Sequence, residues 1–153
     1  MKLETKFFGE IEVNELEIIN FNRGIPGFEN EHQFMILKQN AESPFFILQA
    51  VTNPQLALIM IDLEQVVPGF SVELPDEIVV ELKLTKPEDA VAYAIVVLPA
   101  DISQATVNLA APVIINIKEK QGKQVILNNP AYSIKHPLFS KVNGEVGLKT
   151  VSK

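Results

Sequence analysis

The stretch from Thr106 to Leu138, TVNLAAPVIINIKEKQGKQVILNNPAYSIKHPL, constrains the fold more than any other part of the chain. Two apolar runs, Ala110 to Ile117 and Gln124 to Leu127, flank a short charged tip from Lys118 to Lys123, which is the pattern of a β-hairpin. Gly122 is expected to supply the positive φ that such a loop often needs. Pro112 reads as the opening of the first strand, where a missing backbone donor is tolerated, and Asn128-Asn129-Pro130 turns the chain out of the second.

The remaining chain is written in the same grammar of short apolar runs and turn formers. From Lys2 to Phe21, Ile11 and Val13 alternate with Glu10 and Glu12, and then Leu16 and Ile18 with Glu15 and Glu17, which predicts two short strands with glutamates on their polar faces. Those faces are either solvated edges or a docking surface for a basic partner. Gly24-Ile25-Pro26-Gly27-Phe28-Glu29 is a shaped turn, with Phe28 expected to cap the core from the loop. Gln33 to Leu37, Pro44 to Val51 and Leu56 to Asp62 are further strands, the last apolar on both faces. Pro68-Gly69 marks a turn, and Pro75-Asp76-Glu77 begins a helix in which Ile78, Val79 and Leu82 share a face. Ala90 to Leu98, the longest apolar run, is a central strand. The expected class is mainly β, an antiparallel β-barrel or rolled sheet with one or two short helices. Residues 1–140 form a single domain and 141–153 a polar, flexible tail.

At 153 residues the chain has enough length to bury roughly two thirds of its unfolded surface without a metal or disulfide. It contains no cysteine, opens without an apolar leader and holds no apolar run near the roughly 20 residues of a membrane span, so it reads as soluble and cytoplasmic. A formal charge of −6 and a single arginine, Arg23, argue against direct contact with nucleic acid. They suit capture of a basic protein that itself binds nucleic acid.

Candidate chemistry is sparse. His32 and His136 lack the i, i+4 or cysteine companions of a zinc site. Gly122-Lys123 lacks the earlier glycine and the following hydroxyl of a phosphate loop. No Ser-His-acid spacing is evident, and the carboxylate pairs lie on solvent-facing strands, so no catalytic, metal or cofactor site is expected. His136, Asn108 and Asn116 each have two readings, a backbone-satisfying structural role or a contact with a partner.

Several segments resemble the FliW family of flagellar assembly factors. They are TVNLAAPVIIN, the Gly122-Lys123-Gln124-Val125-Ile126-Leu127 strand, the ending Tyr132-x-x-x-His136-Pro137-Leu138, the turn Gly24 to Glu29 and the run Pro44 to Gln49. Lys135 stands where the family's ending is expected to carry arginine, offering a point charge instead of a guanidinium fork. The resemblance implies a β-barrel that binds newly made flagellin and, once released, binds and antagonises CsrA, an RNA-binding repressor of flagellin translation. On that reading the regulator contacts acids among Glu10, Glu12, Glu15, Glu17, Glu64 and Glu73. Flagellin lies near Tyr132, His136, Leu138 and Phe139, with Asn108 and Asn116 as further partner contacts. The alternatives are a small-molecule-binding barrel or hydrolase, which needs a deep pocket with convergent polar groups, and a flagellin chaperone without a regulatory partner.

Overall fold

The computed structural model describes residues 1–70, 73–142 and 145–148. Its strands are β1 (Lys2–Thr5), β2 (Gly9–Glu12), β3 (Ile19–Asn20), β4 (Gln33–Leu37), β5 (Phe45–Ala50), β6 (Ala57–Asp62), β7 (Ala90–Val97), β8 (Thr106–Asn116), β9 (Gln121–Gln124), β10 (His136–Pro137), β11 (Phe139–Val142) and β12 (Glu145–Leu148). Two short helices, α1 (Leu63–Val66) and α2 (Asp76–Glu81), lie between β6 and β7 in the chain. The barrel runs β8-β7-β6-β5-β4-β3-β9 and closes where β9 returns to β8. Every pairing around it is antiparallel except β3 with β9, which run parallel at Asn20 and Gln121. Closure gives each of the seven barrel strands a neighbour on both sides. The expected domain boundary at residue 140 falls inside β11, which pairs with β12; residues 143–144 and 149–153 of the expected tail lie outside the described residues.

Alternation in β6, β7 and β8 sends side chains to both faces, as the unbroken apolar runs require. Inward, Phe34, Leu48, Met60, Tyr93, Val113 and Ile115 fill the barrel with Phe21 and Ile25. Outward, Ile61, Ala94, Val96 and Val107 pack with Leu63, Val66 and Leu138. Ile114 and Val125 receive Ile78 and Leu82 from α2. Burial raises the Tyr93 hydroxyl above its ordinary pKa, and the neighbouring Asp62 charge adds to the effect.

Four expectations change. Glu15–Glu17 form a 3₁₀ turn and not a strand, because the Asn14 side chain accepts the Leu16 N–H at 3.0 Å and bends the chain; Leu16 is left 77% exposed. Phe28 is 44% exposed, and Ile25 is the turn residue that enters the core. Pro112 lies well inside β8, at the point where the pairing with β7 jumps from Tyr93–Val113 to Ile95–Asn108. Residues 109–112 therefore swing out opposite Ala94, a bulge in which a strand proline is tolerated.

Gly122 is the fourth. It sits within β9, and the left-handed residue of the tip is Lys120 at φ 54, whose carbonyl is held by the Asn20 N–H at 2.9 Å. Gly122 is needed for proximity: a Cβ there would stand 2.5 Å from the buried Phe21 ring. Gly122→Ala is therefore expected to destabilise the barrel by about 1–3 kcal/mol through overpacking, read as a lower urea midpoint with an unchanged slope. A midpoint equal to wild type would show that Phe21 yields freely.

Candidate functional site

The acidic residues divide into two groups on different parts of the barrel. Glu10 and Glu12 lie exposed on β2, where Glu10 faces Glu4 across the hairpin and their shared hydrogen bond raises the Glu4 carboxyl above its usual range. Glu12 accepts the N-terminal ammonium at 3.0 Å, and Lys2 approaches Glu10 at 3.7 Å. Glu15 and Glu17 project from the 3₁₀ turn, and Glu17 pairs with Lys120 at 3.2 Å. This first group is therefore partly neutralised by the chain's own cations. Glu64 is exposed on α1 and Glu73 before α2, and Glu64 accepts the Gly69 N–H at 2.9 Å.

The asparagines take the structural reading. Asn108 accepts the N–H groups of Ala110 and Ala111 at 2.9 and 3.2 Å and so shapes the β8 bulge. Asn116, 1% exposed, donates to the carbonyls of Leu82 and Lys83 at 2.8 and 3.1 Å and accepts from the N–H groups of Lys118 and Glu119. With its amide spent inside the protein, Asn116 has no surface to offer a partner. The same correction applies to Leu138, which is fully buried against Val107 and Leu109 because β10 draws the chain onto the start of β8. Tyr132, His136 and Phe139 remain half-buried at that surface, and Tyr132 leans on Phe70 with ring centroids 5.9 Å apart.

Beyond Phe70 the surface opens into a groove of about 830 Å³ that was not anticipated from the sequence. Its cause is local. On β7 the inward positions are Val91, Tyr93 and Ile95, while Ala90, Ala92 and Ala94 face outward. Ala90 and Ala92 help line the groove with Ile114, together with Leu63, Phe70, Leu74, Val79 and Leu84. Asp62, Glu64, Lys86 and Glu88 supply its charges. The alternation of alanine with bulky residues was the available signal; it marks an outer face too small to fill the space between the two helices.

Among the described residues no group of three or more His, Asp or Glu side chains is placed to hold a metal. None of their helices is long and apolar enough to cross a membrane. The barrel interior is packed with side chains.

The chain is thus a packed, closed β-barrel with a charged rim and an apolar external groove. The family model described as FliW protein matches residues 2–138. The flagellar assembly factor FliW of Caldicellulosiruptor saccharolyticus is 42% identical over 144 residues, 94% of each chain. That of Thermoanaerobacter pseudethanolicus is 42% identical over 143 residues, covering 93% of this chain and 95% of the relative. A crystal structure titled as the flagellar assembly factor FliW superposes with a TM-score of 0.85 at 39% identity, covering 92% of this chain and 99% of that one. The chain belongs to the FliW family of flagellar assembly factors.

Proposed function

We propose that this flagellar assembly factor is a partner switch: it binds newly made flagellin and, when flagellin is exported, binds and antagonises the RNA-binding repressor CsrA, coupling flagellin synthesis to assembly. The observation that carries the reading is the separation of two unlike surfaces on a barrel whose interior is filled. Exposed acids on β2 and the 3₁₀ turn suit a partner rich in lysine and arginine. The half-buried aromatic surface of Tyr132, His136 and Phe139 suits the apolar face of a flagellin helix. A small-molecule barrel draws no support from an interior occupied by Phe34, Leu48 and Met60 at 0% exposure.

The test is to titrate the purified protein with flagellin and CsrA, singly and together, and to repeat it with Glu10→Lys/Glu15→Lys. Rim charges mainly steer encounter, so the double variant is expected to slow CsrA association by about 3- to 10-fold at low salt, with dissociation and flagellin binding little changed. If CsrA association is indifferent and flagellin binding collapses, the two surfaces are assigned the wrong way round. A wild-type protein that binds flagellin but not CsrA is a chaperone without a regulatory partner.

A further inference from the structure

We propose that the groove above the alanine face of β7 is the seat of an amphipathic α-helix with lysine or arginine on its flanks, contributed by the flagellin partner; the choice of partner rests on the function proposed above. Three observations carry it. First, a volume of about 830 Å³ with a mainly apolar lining has room for several apolar side chains of one helix face. Alanines at 90 and 92 let those side chains reach the sheet.

Second, the charge of the lining is one-sided. Asp62, Glu64 and Glu88 stand against Lys86 alone, which favours an occupant carrying cations beside its apolar face and moves Glu64 from the acids expected to meet the regulator to this groove. Asp62 and Glu64 are held in place, the first accepting the Glu64 N–H at 3.0 Å and the second the Gly69 N–H at 2.9 Å. A carboxylate fixed by backbone donors loses little side-chain entropy on meeting a partner. Third, the groove is continuous with the aromatic surface assigned to flagellin, since Phe70 lines it and touches Tyr132. An occupant extending along both would bury a single apolar strip with acids beside it.

The experiment follows a fluorescein-labelled, 18-residue designed helix by anisotropy. Leucines at i, i+3, i+4 and i+7 make its apolar face, and lysines or glutamates its flanks. Full-length flagellin is measured in parallel by biolayer interferometry. Wild type is expected to bind the lysine-flanked peptide more tightly than the glutamate-flanked one. Ala92→Leu, which fills the floor, and Thr85→Trp, which blocks the exposed rim without entering the core, are each expected to weaken peptide and flagellin binding by about tenfold or more. Glu64→Lys/Glu88→Lys is expected to remove the preference for lysine flanks. Should Ala92→Leu fail to fold by circular dichroism, Thr85→Trp alone decides.

Flagellin binding unchanged in a folded groove variant would overturn the groove while leaving the flagellin reading intact. Wild-type protein that takes the peptide in the groove but ignores flagellin would remove flagellin as the partner. Sedimentation showing a dimer that Thr85→Trp abolishes would make a second copy of the chain the occupant, and would equally overturn the proposal.

Discussion

Gly24→Val is expected to cause the larger of the two greatest losses of stability, about 2–5 kcal/mol, by adding left-handed strain of roughly 1–2 kcal/mol to overpacking of roughly 1–3 kcal/mol. Gly24 has φ +64, and a Cβ built there lies 2.7 Å from the Glu29 Cα and carbonyl oxygen. Those atoms are backbone and cannot rotate aside. The turn is also tied from within: the Gly24 N–H donates to the Phe21 carbonyl at 2.9 Å, and the Phe28 N–H to Ile25 at 2.7 Å. Glu29 accepts the Gly27 N–H at 3.1 Å, a bond that holds its carboxyl below the usual range. Displacing the Glu29 backbone would drag Ile25 from the core. Gly27 is the control, because at φ +90 it has nothing within 4 Å of a new Cβ. Gly27→Val should therefore cost only the conformational part, about 1–2 kcal/mol. Melting temperatures check this, with a fall of roughly 10 °C expected at position 24 for a chain of this size and clearly less at 27. Equal losses would mean that the approach to Glu29 contributes nothing.

Asn116→Ala is expected to cost about 2–4 kcal/mol, since it withdraws partners from one buried and three part-buried backbone groups at once. The Asn116 side chain links the end of α2, through the carbonyls of Leu82 and Lys83, to the Lys118 and Glu119 N–H groups of the β8–β9 tip. Lys83 is itself at φ 55, so the helix leaves its last turn through a strained residue that this amide satisfies. Asn116→Asp should be no milder. It keeps the acceptor but aims a carboxylate at two carbonyls inside the protein. Beyond global stability, amide exchange in α2 should accelerate, because Glu81 would then hold the helix mainly through Lys123 at 3.1 Å and Arg23 at 3.4 Å. Chemical denaturation of both variants decides the matter; a change within about 0.5 kcal/mol would place the network among ordinary surface bonds.

How far each surface could be foreseen follows from what fixes it. Glu10, Glu12, Glu15 and Glu17 were legible as exposed because charge resists burial whatever the surrounding fold. Asn116 and Leu138 were not, because their burial depends on α2 closing over one and β10 drawing the other inward. The groove was partly written in Ala90-x-Ala92-x-Ala94, but depth belongs to the space between α1 and α2 and not to any one strand.

By itself, the sequence determined the elements whose burial is decided locally. Apolar runs bounded by proline, glycine and asparagine specify β4 to β8, and Pro75-Asp76-Glu77 starts α2, because side-chain periodicity and turn chemistry act over a few residues. Gly24 and Gly27 announced a turn that only glycine accepts at no strain, and both have positive φ. Tertiary structure alone decided closure. The parallel contact between Asn20 and Gln121 joins residues about a hundred positions apart, and it brings the Glu15–Glu17 turn beside the Lys120 tip, where Lys120 pairs with Glu17. It also decided why position 122 is glycine, since the demand comes from the ring of Phe21, a residue about a hundred positions away that the β3–β9 pairing brings alongside. Such requirements are set by which strands become neighbours, and neighbours distant in sequence leave no periodic trace in either segment.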